Sequence, residues 1–244
     1  MERKNVVITG ASSGIGRAIA ELFITKKHNV INLDIVDCQN DEVDYIAVDL
    51  SNVSDISNAF SKVEKKYKTI DVLISNAGIH YSNNIENTSK DDYFKVLNTN
   101  LTSTFFSIKH TIPMMKKNGG RIITISSDQS VIAKQNSAIY GCSKAAIMQL
   151  TKNIALDYVK YGIFANCIST GTIDTKLYRD AINNYCERSG ANFDDVHREE
   201  ENMQPIHRLG KVEEVASLAY YLSVEAGSYI LGSNIVMDGG YSIR

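Results

Sequence analysis

Asn5-Val6-Val7-Ile8-Thr9-Gly10-Ala11-Ser12-Ser13-Gly14-Ile15-Gly16 is the stretch on which the reading of this chain turns. The apolar run Val6-Val7-Ile8 predicts a strand over Asn5 to Thr9. Beyond it, Ile15, Ala18, Ile19, Leu22 and Phe23 recur at the i, i+3, i+4, i+7, i+8 spacing of an amphipathic helix. Glycines at a strand-to-helix junction let the backbone turn tightly and approach a ligand. The free N–H groups and dipole of the helix start then favour a pyrophosphate. Gly10, Ser12, Ser13, Gly14, Ile15 and Gly16 are therefore the candidate cradle. No Gly-Lys-Ser/Thr follows, so the phosphate-holding lysine of a P-loop is missing.

Outward from this turn, short apolar runs alternate with helical spacing. Val30 to Leu33, Tyr45 to Val48, Val72 to Ile74, Ile122 to Ile125, Phe164 to Ile168 and Ile235 to Met237 complete a set of about seven strands. Val53, Ile56, Phe60 and Val63 mark a helix between two of them. Several of these strands are solidly apolar, as parallel strands covered on both faces are. The pattern predicts an α/β fold: a doubly wound, mostly parallel seven-stranded sheet with helices on both faces. With two prolines (Pro113, Pro205) and no low-complexity linker, residues 1–244 read as one domain. The rhythm breaks between Gly171 and Pro205, where two polar helical stretches meet near Ser189-Gly190. Such an insertion, at about 172–205, is expected to be a lid or binding element.

Composition narrows the function classes. The 244 residues carry 26 Lys+Arg against 28 Asp+Glu, a net charge of −2, which argues against a nucleic-acid surface. No uncharged run approaches the ~18 residues of a membrane helix, and the start, Met1-Glu2-Arg3-Lys4-Asn5, leads into the first strand with no signal-peptide core. Cys38, Cys142, Cys167 and Cys186 are scattered, which suits buried free thiols in a reducing, cytoplasmic compartment. His28, His80, His110, His197 and His207 show no paired metal-ligand spacing, so no metal is expected. His80 reads as a surface residue, with a place in the site as the alternative, and Cys142 as a small packing residue.

The second strand ends at Asp34, 18 residues beyond Gly16. A carboxylate there can accept hydrogen bonds from both hydroxyls of an adenosine ribose and repels a 2′-phosphate. No Lys or Arg lies within the glycine turn, so NAD rather than NADP is the expected cofactor.

Thr9-Gly10-x3-Gly14-x-Gly16, then Asn76-Ala77-Gly78, then Tyr140-x3-Lys144, resembles the short-chain dehydrogenase/reductase family in motif and in order, over nearly the whole chain. Ser127 lies 13 residues before Tyr140 and Asn100 lies 24 after Asn76, both spacings similar to the family's. Tyr140 and Lys144 share one face of a predicted helix. A free phenol has a pKa of ~10, so a lysine cation nearby, favouring phenolate, is what makes it a usable base. The resemblance implies that Tyr140 exchanges the proton with the substrate oxygen and that Lys144 also binds the nicotinamide ribose. It further implies that Ser127 (or Ser126, if the strand ends one residue earlier) holds the substrate oxygen, and that Asn100 anchors a water leading protons to solvent. Asp49 with Leu50 is implied at the adenine. Asn76, with Ala77 and Gly78, is implied to stabilise the sheet or lie near the cofactor. Gly171, Ile173 and Thr175 are implied beside the nicotinamide, although Thr170-Gly171 stands where the family usually has Pro-Gly.

The loop after Ser127 is polar (Asp128, Gln129, Ser130, Lys134, Gln135, Asn136, Ser137), and the insertion adds Arg179, Arg188, His197 and Arg198. These groups either face water or suit a small polar secondary alcohol and its ketone: a sugar, polyol or hydroxy acid. The alternatives are a 3-oxoacyl-thioester ketoreductase and a non-catalytic dinucleotide-sensing protein. Asp34 weighs against the first and the Ser127/Tyr140/Lys144 set against the second. The resemblance also implies a homotetramer or homodimer built on helices near 100–117 and 138–160 and on the last strand.

Overall fold

The apolar runs pair into one sheet of seven parallel strands, in the order β3-β2-β1-β4-β5-β6-β7. A computed structural model describes residues 2–244; Met1 lies outside them. The strands are β1 Asn5–Thr9, β2 Asn29–Asp34, β3 Val43–Ala47, β4 Val72–Ser75, β5 Gly120–Ser127, β6 Ile163–Thr170 and β7 Asn234–Met237. The helices are α1 Gly14–Thr25, α2 Val53–Tyr67, α3 Lys90–Leu97, α4 Ser103–Met115, α5 Ala138–Tyr158, α6 Lys176–Ser189, α7 Phe193–Met203 and α8 Val212–Tyr220.

Alternate residues of each strand face opposite layers. Val6 and Ile8 pack with Ile19, Phe23, Val215 and Ala219 of α1 and α8, whereas Val7 packs with Ile56, Phe60, Ile108 and Ile112 of α2 and α4. Both faces of the central strands are dry, which explains why their sequences do not alternate. Chain order reverses where β1 lies between β2 and β4, so the loops leaving β1 and β4 diverge and open a crevice at the carboxyl ends of the strands. The expected mostly parallel sheet is parallel at every pairing.

Two features had no counterpart in the sequence reading. The α3–α4 connection is no loop but a turn of π-helix, Asn98–Thr102, and a second such turn, Tyr221–Glu225, extends α8. The four thiols are free, but only Cys167 is buried; Cys142 is exposed, correcting its reading as a packing residue. It lies one position past Gly141 on α5, turned off the face that carries Tyr140 and Lys144. Among the described residues, no helix is long and apolar enough to cross a membrane.

Candidate active site

The glycine turn is held by the strands around it. Gly10 N–H donates to the Leu33 carbonyl at 2.9 Å, Ala11 N–H to Asn32 Oδ1 at 3.0 Å and Ser12 N–H to Asp34 Oδ2 at 3.0 Å. The Ser12 hydroxyl bonds the Val36 carbonyl. Gly10 sits at φ +72°, and a Cβ on Gly16 would stand 2.1 Å from the Gly10 carbonyl oxygen, so nothing larger than glycine fits that approach. Asn76 closes the turn from β4: its Nδ2 donates to the Thr9 and Gly10 carbonyls at 3.1 and 3.0 Å. It thus ties the end of β4 to the end of β1 and lies against the turn. Ala77 N–H joins it on the Thr9 hydroxyl at 3.1 Å.

The start of α1 is open. Ser13 makes no side-chain cap and no acid lies in the first turn, whereas side chains of Asn52, Ser89, Thr175 and Asn192 cap α2, α3, α6 and α7. Its orphan N–H donors suit an anion. Asp34, at the end of β2, uses one lone pair of each carboxylate oxygen on Ser12 N–H and Val36 N–H. A carboxylate has about four such sites, so both oxygens retain capacity for ribose hydroxyls. Asp49 is exposed beyond β3 and its Oδ1 accepts from Ser51, while Leu50 beside it is buried. Asp49 borders a small hollow of about 370 Å³ with Ile35 and Val48. After β6, Gly171 N–H is tied to the Met237 carbonyl at 3.0 Å. Ile173 bridges to Gly210, and the Thr175 methyl stands 3.4 Å from where a Gly14 Cβ would be. The chain thus brings 171–175 back to the glycine turn. These residues fit a dinucleotide.

The second half of the site stands on β5 and α5. The strand runs to Ser127, so the sequence alternative at Ser126 falls away: Ser126 Oγ is buried and donates to the Lys144 carbonyl at 2.9 Å. Ser127 stands close enough to Tyr140 for its hydroxyl to favour the phenolate. Lys144 Nζ lies 5.7 Å from the Tyr140 ring centroid and donates to the Ile125 carbonyl at 3.1 Å. Burial drives the two groups in opposite directions: the Tyr140 phenol rises to about 12 and the Lys144 ammonium falls to about 8. Desolvation, with the Asp128 charge, raises the phenol, and the group that lowers it is Ser127 rather than the expected Lys144.

Asn100 is wholly buried in the π-turn and anchors the loop opposite. Its Oδ1 accepts from Ile79 N–H at 2.8 Å, and its Nδ2 donates to the Ile79 carbonyl and to Ser143 Oγ, both at 3.1 Å. Both amide hydrogens are committed to protein, leaving one Oδ1 lone pair for the expected water. Gly78 lies between: a Cβ there would be 3.1 Å from Asn100 Oδ1 and 3.5 Å from Lys144 Nζ. His80 is exposed, as its reading as a surface residue expects, and also touches the site, the alternative given to it. Its ring stands edge-on to Tyr140, centroids 4.9 Å apart, and desolvation, with Lys134 and Lys144 nearby, lowers its pKa. Its position two residues past Asn76-Ala77-Gly78 was the one available signal.

A cleft of about 1160 Å³ opens between His80-Tyr81-Ser82, α6, α7 and Arg244. Of the four basic groups assigned to the insertion, only Arg188 lines it. Arg179 is bidentate to Asp174, Arg198 pairs with Asp195 and His197 bonds Tyr178 at 2.8 Å. In the 128–137 loop, Asp128 and Ser130 are buried in internal bonds.

Residues 10–242 match a family model described as enoyl-(acyl carrier protein) reductase. A short chain dehydrogenase family protein from Francisella tularensis subsp. tularensis SCHU S4 is 36% identical, with a TM-score of 0.94 and 100% of both chains covered. The aldohexose dehydrogenase of Thermoplasma acidophilum is 36% identical with a TM-score of 0.93, covering 100% of this chain and 95% of that one. An NAD-dependent glycerol dehydrogenase from Listeria innocua serovar 6a is 33% identical over 99% of this chain and 94% of its own.

Proposed function

The chain belongs to the short-chain dehydrogenase/reductase family, an oxidoreductase acting on alcohol and ketone groups, and from that premise we propose that it interconverts a small polar secondary alcohol and its ketone with NAD. The observation that carries this reading is the convergence of Ser127, Tyr140 and Lys144 at the strand ends beside an uncapped helix start.

Gly10, Ser12, Ser13, Gly14, Ile15 and Gly16 would hold the pyrophosphate, Asp34 the adenosine ribose, and Asp49 with Leu50 the adenine. Asn76, Ala77, Gly78, Gly171, Ile173 and Thr175 would line the nicotinamide end. When bound, the nicotinamide supplies or accepts the hydride at its C4. Ser127 holds the substrate oxygen by a hydrogen bond, and Tyr140 gives that oxygen a proton in ketone reduction or takes one in alcohol oxidation. Lys144 holds the nicotinamide ribose and, as a cation, favours the phenolate. Asn100 and His80 fix the walls around the pair. The 172–205 segment serves as the lid of the single domain. Support for a polar substrate comes from the glycerol and aldohexose dehydrogenases that the chain resembles and from Ser82, Asn184 and Asn202 in the cleft. Exposed Phe105, Leu156 and Val236 on α4, α5 and β7 support a homodimer or homotetramer. The chemistry suits the cytoplasm.

The test is nicotinamide reduction by purified protein with NAD or NADP over polyols, aldoses, hydroxy acids, steroids and 3-hydroxyacyl thioesters. Turnover of a polyol or aldose with NAD is expected; a preference for steroids or thioesters overturns the reading. Tyr140→Phe should cut kcat by about 10²–10⁴-fold and leave NAD binding, followed by fluorescence, intact. Because Tyr140 rests high, alcohol oxidation should rise with pH and ketone reduction fall.

A further inference from the structure

The Ser127 hydroxyl is fully engaged inside the protein. It donates its single hydrogen to Asp128 Oδ1 at 2.8 Å, accepts from Gln129 N–H at 3.2 Å and meets the Tyr140 phenol. A serine hydroxyl has one hydrogen and two lone pairs, so holding a substrate oxygen requires that hydrogen to leave Asp128. Asp128 is itself 1% exposed, a carboxylate that burial would make costly without a partner. That partner is Lys134, whose Nζ lies 3.1 Å from Asp128 Oδ2. Lys134 is in turn seated 4.4 Å from the Tyr241 ring centroid in the C-terminal turn.

We propose that Asp128 is a positioning residue for the reaction: it stores the Ser127 hydrogen away from Tyr140, and Lys134 stabilises the carboxylate when that hydrogen swings to the substrate oxygen. The inference rests on the roles proposed above for Ser127 and Tyr140. No bond to carbon changes in this step; one hydrogen bond, from Ser127 to Asp128, is exchanged for one from Ser127 to substrate, and the charges on Asp128 and Lys134 remain. An ordinary structural ion pair would not need its carboxylate on this hydroxyl, since Lys134 could be paired anywhere along the loop.

The charge on Asp128 also acts on the phenol, and its sign is readable. A negative charge beside a phenol disfavours phenolate, and Asp128 is among the groups that raise Tyr140. The other ionisable groups around the pair are His80 from the loop after β4, Lys144 on α5, Lys134 from the 128–137 loop and Cys167 of β6 beside Lys144. Glu200 of α7 is half-buried near Lys134 and Asp128, with its carboxyl pushed up by desolvation.

Asp128→Asn keeps the shape and the acceptor oxygen but removes the charge. The ionisation of Tyr140, read without cofactor or substrate as the near-ultraviolet phenolate difference between each protein and its Tyr140→Phe partner, should move down by about one pH unit. The alkaline rise of alcohol oxidation should move with it. Lys134→Gln, at a partly exposed position, should move the same titration up, and Lys134→Arg should restore it. Asp128→Ala, which loses the acceptor as well, should lower kcat about tenfold or more with KM for the alcohol little changed. Unmoved titrations in both Asp128→Asn and Lys134→Gln overturn the proposal, as does a kcat for Asp128→Ala equal to that of the wild type. Should Asp128→Asn fail to fold, the Lys134 pair decides by the same titration. If wild-type protein oxidises no alcohol, the functional reading fails instead, and the phenol titration still reports on Asp128.

Discussion

The glycine turn and the 172–205 segment meet at Gly14 and Thr175, yet different forces hold them. The turn is fastened by buried and half-buried bonds to Asn32, Asp34 and Asn76 at the ends of β2 and β4, above strands whose central side chains are buried. In the segment, α7 has no buried residue and α6 has only Ile182. Its base is tied to Gly210 through Ile173 and its two helices to each other through Tyr178 and His197; the remaining bonds are exposed pairs, Lys176–Asp180, Arg179–Asp174 and Arg198–Asp195. Exposed pairs contribute about 0–1 kcal/mol each. The turn is therefore expected to open only with global unfolding, and the segment at lower local cost. The denser fastening lies where a cofactor of fixed shape is proposed, and the sparser one beside the proposed substrate cleft.

The sharpest way to break this contrast is a pair of matched truncations. Ile19→Ala in α1, at a wholly buried site, should cost about 2–5 kcal/mol of global stability by chemical denaturation. Ile182→Ala should leave the midpoint close to wild type and show instead as faster proteolysis within 172–205 and a raised substrate KM. Equal losses of global stability would mean that the segment unfolds with the core. Asp34→Ala should shift the ratio of kcat/KM for NAD over NADP toward NADP by about tenfold, or ~1.4 kcal/mol; an unchanged ratio removes Asp34 from the ribose. Tyr178→Phe deletes the bond to His197, about 1 kcal/mol, and should raise KM while kcat and the melting temperature hold.

The smallest effect lies outside the contrast and calibrates it. Arg208, at 2.7 and 2.9 Å, and the Lys211 N–H hold the Glu214 carboxyl down to about 2. A depressed carboxyl contributes stability above its unfolded value, near 4.5, and loses it as pH falls toward 2. With both side chains more than a third exposed, solvent screening should keep the loss small. Glu214→Gln should flatten that part of an acid denaturation profile.

What the sequence made legible follows the same divide. The strands could be read because a parallel sheet covered on both faces demands unbroken apolar runs such as Val72-Leu73-Ile74. The glycine turn could be read because Gly16 has no substitute. The chain from 172 to 205 showed its two helices and the break at Gly190, but not its contacts: Arg179 and Arg198 carry the same charge whether they face a ligand or a neighbouring Asp. Asp128 was visible only as one polar residue among seven, since a buried carboxylate is recognised by Lys134 and Ser127 in space. The contact of His80 with the Tyr140 ring was illegible for the same reason. The π-turn at Asn98–Thr102 left no trace, because its residues suit an ordinary helix equally well.

That turn has a geometric consequence of its own. An α-helix advances ~100° per residue, and a π-turn absorbs one residue more than the α-helical ladder needs. The rod from Lys90 to Met115 is therefore two segments out of phase by about that angle. Val96 before the joint and Ile108 after it are both buried, and Asn100 between them is free to leave the helical wheel and clasp Ile79. Excising one residue at the joint would bring the two halves back into step and swing the upstream half by roughly a quarter turn, so core and amide could no longer be served together.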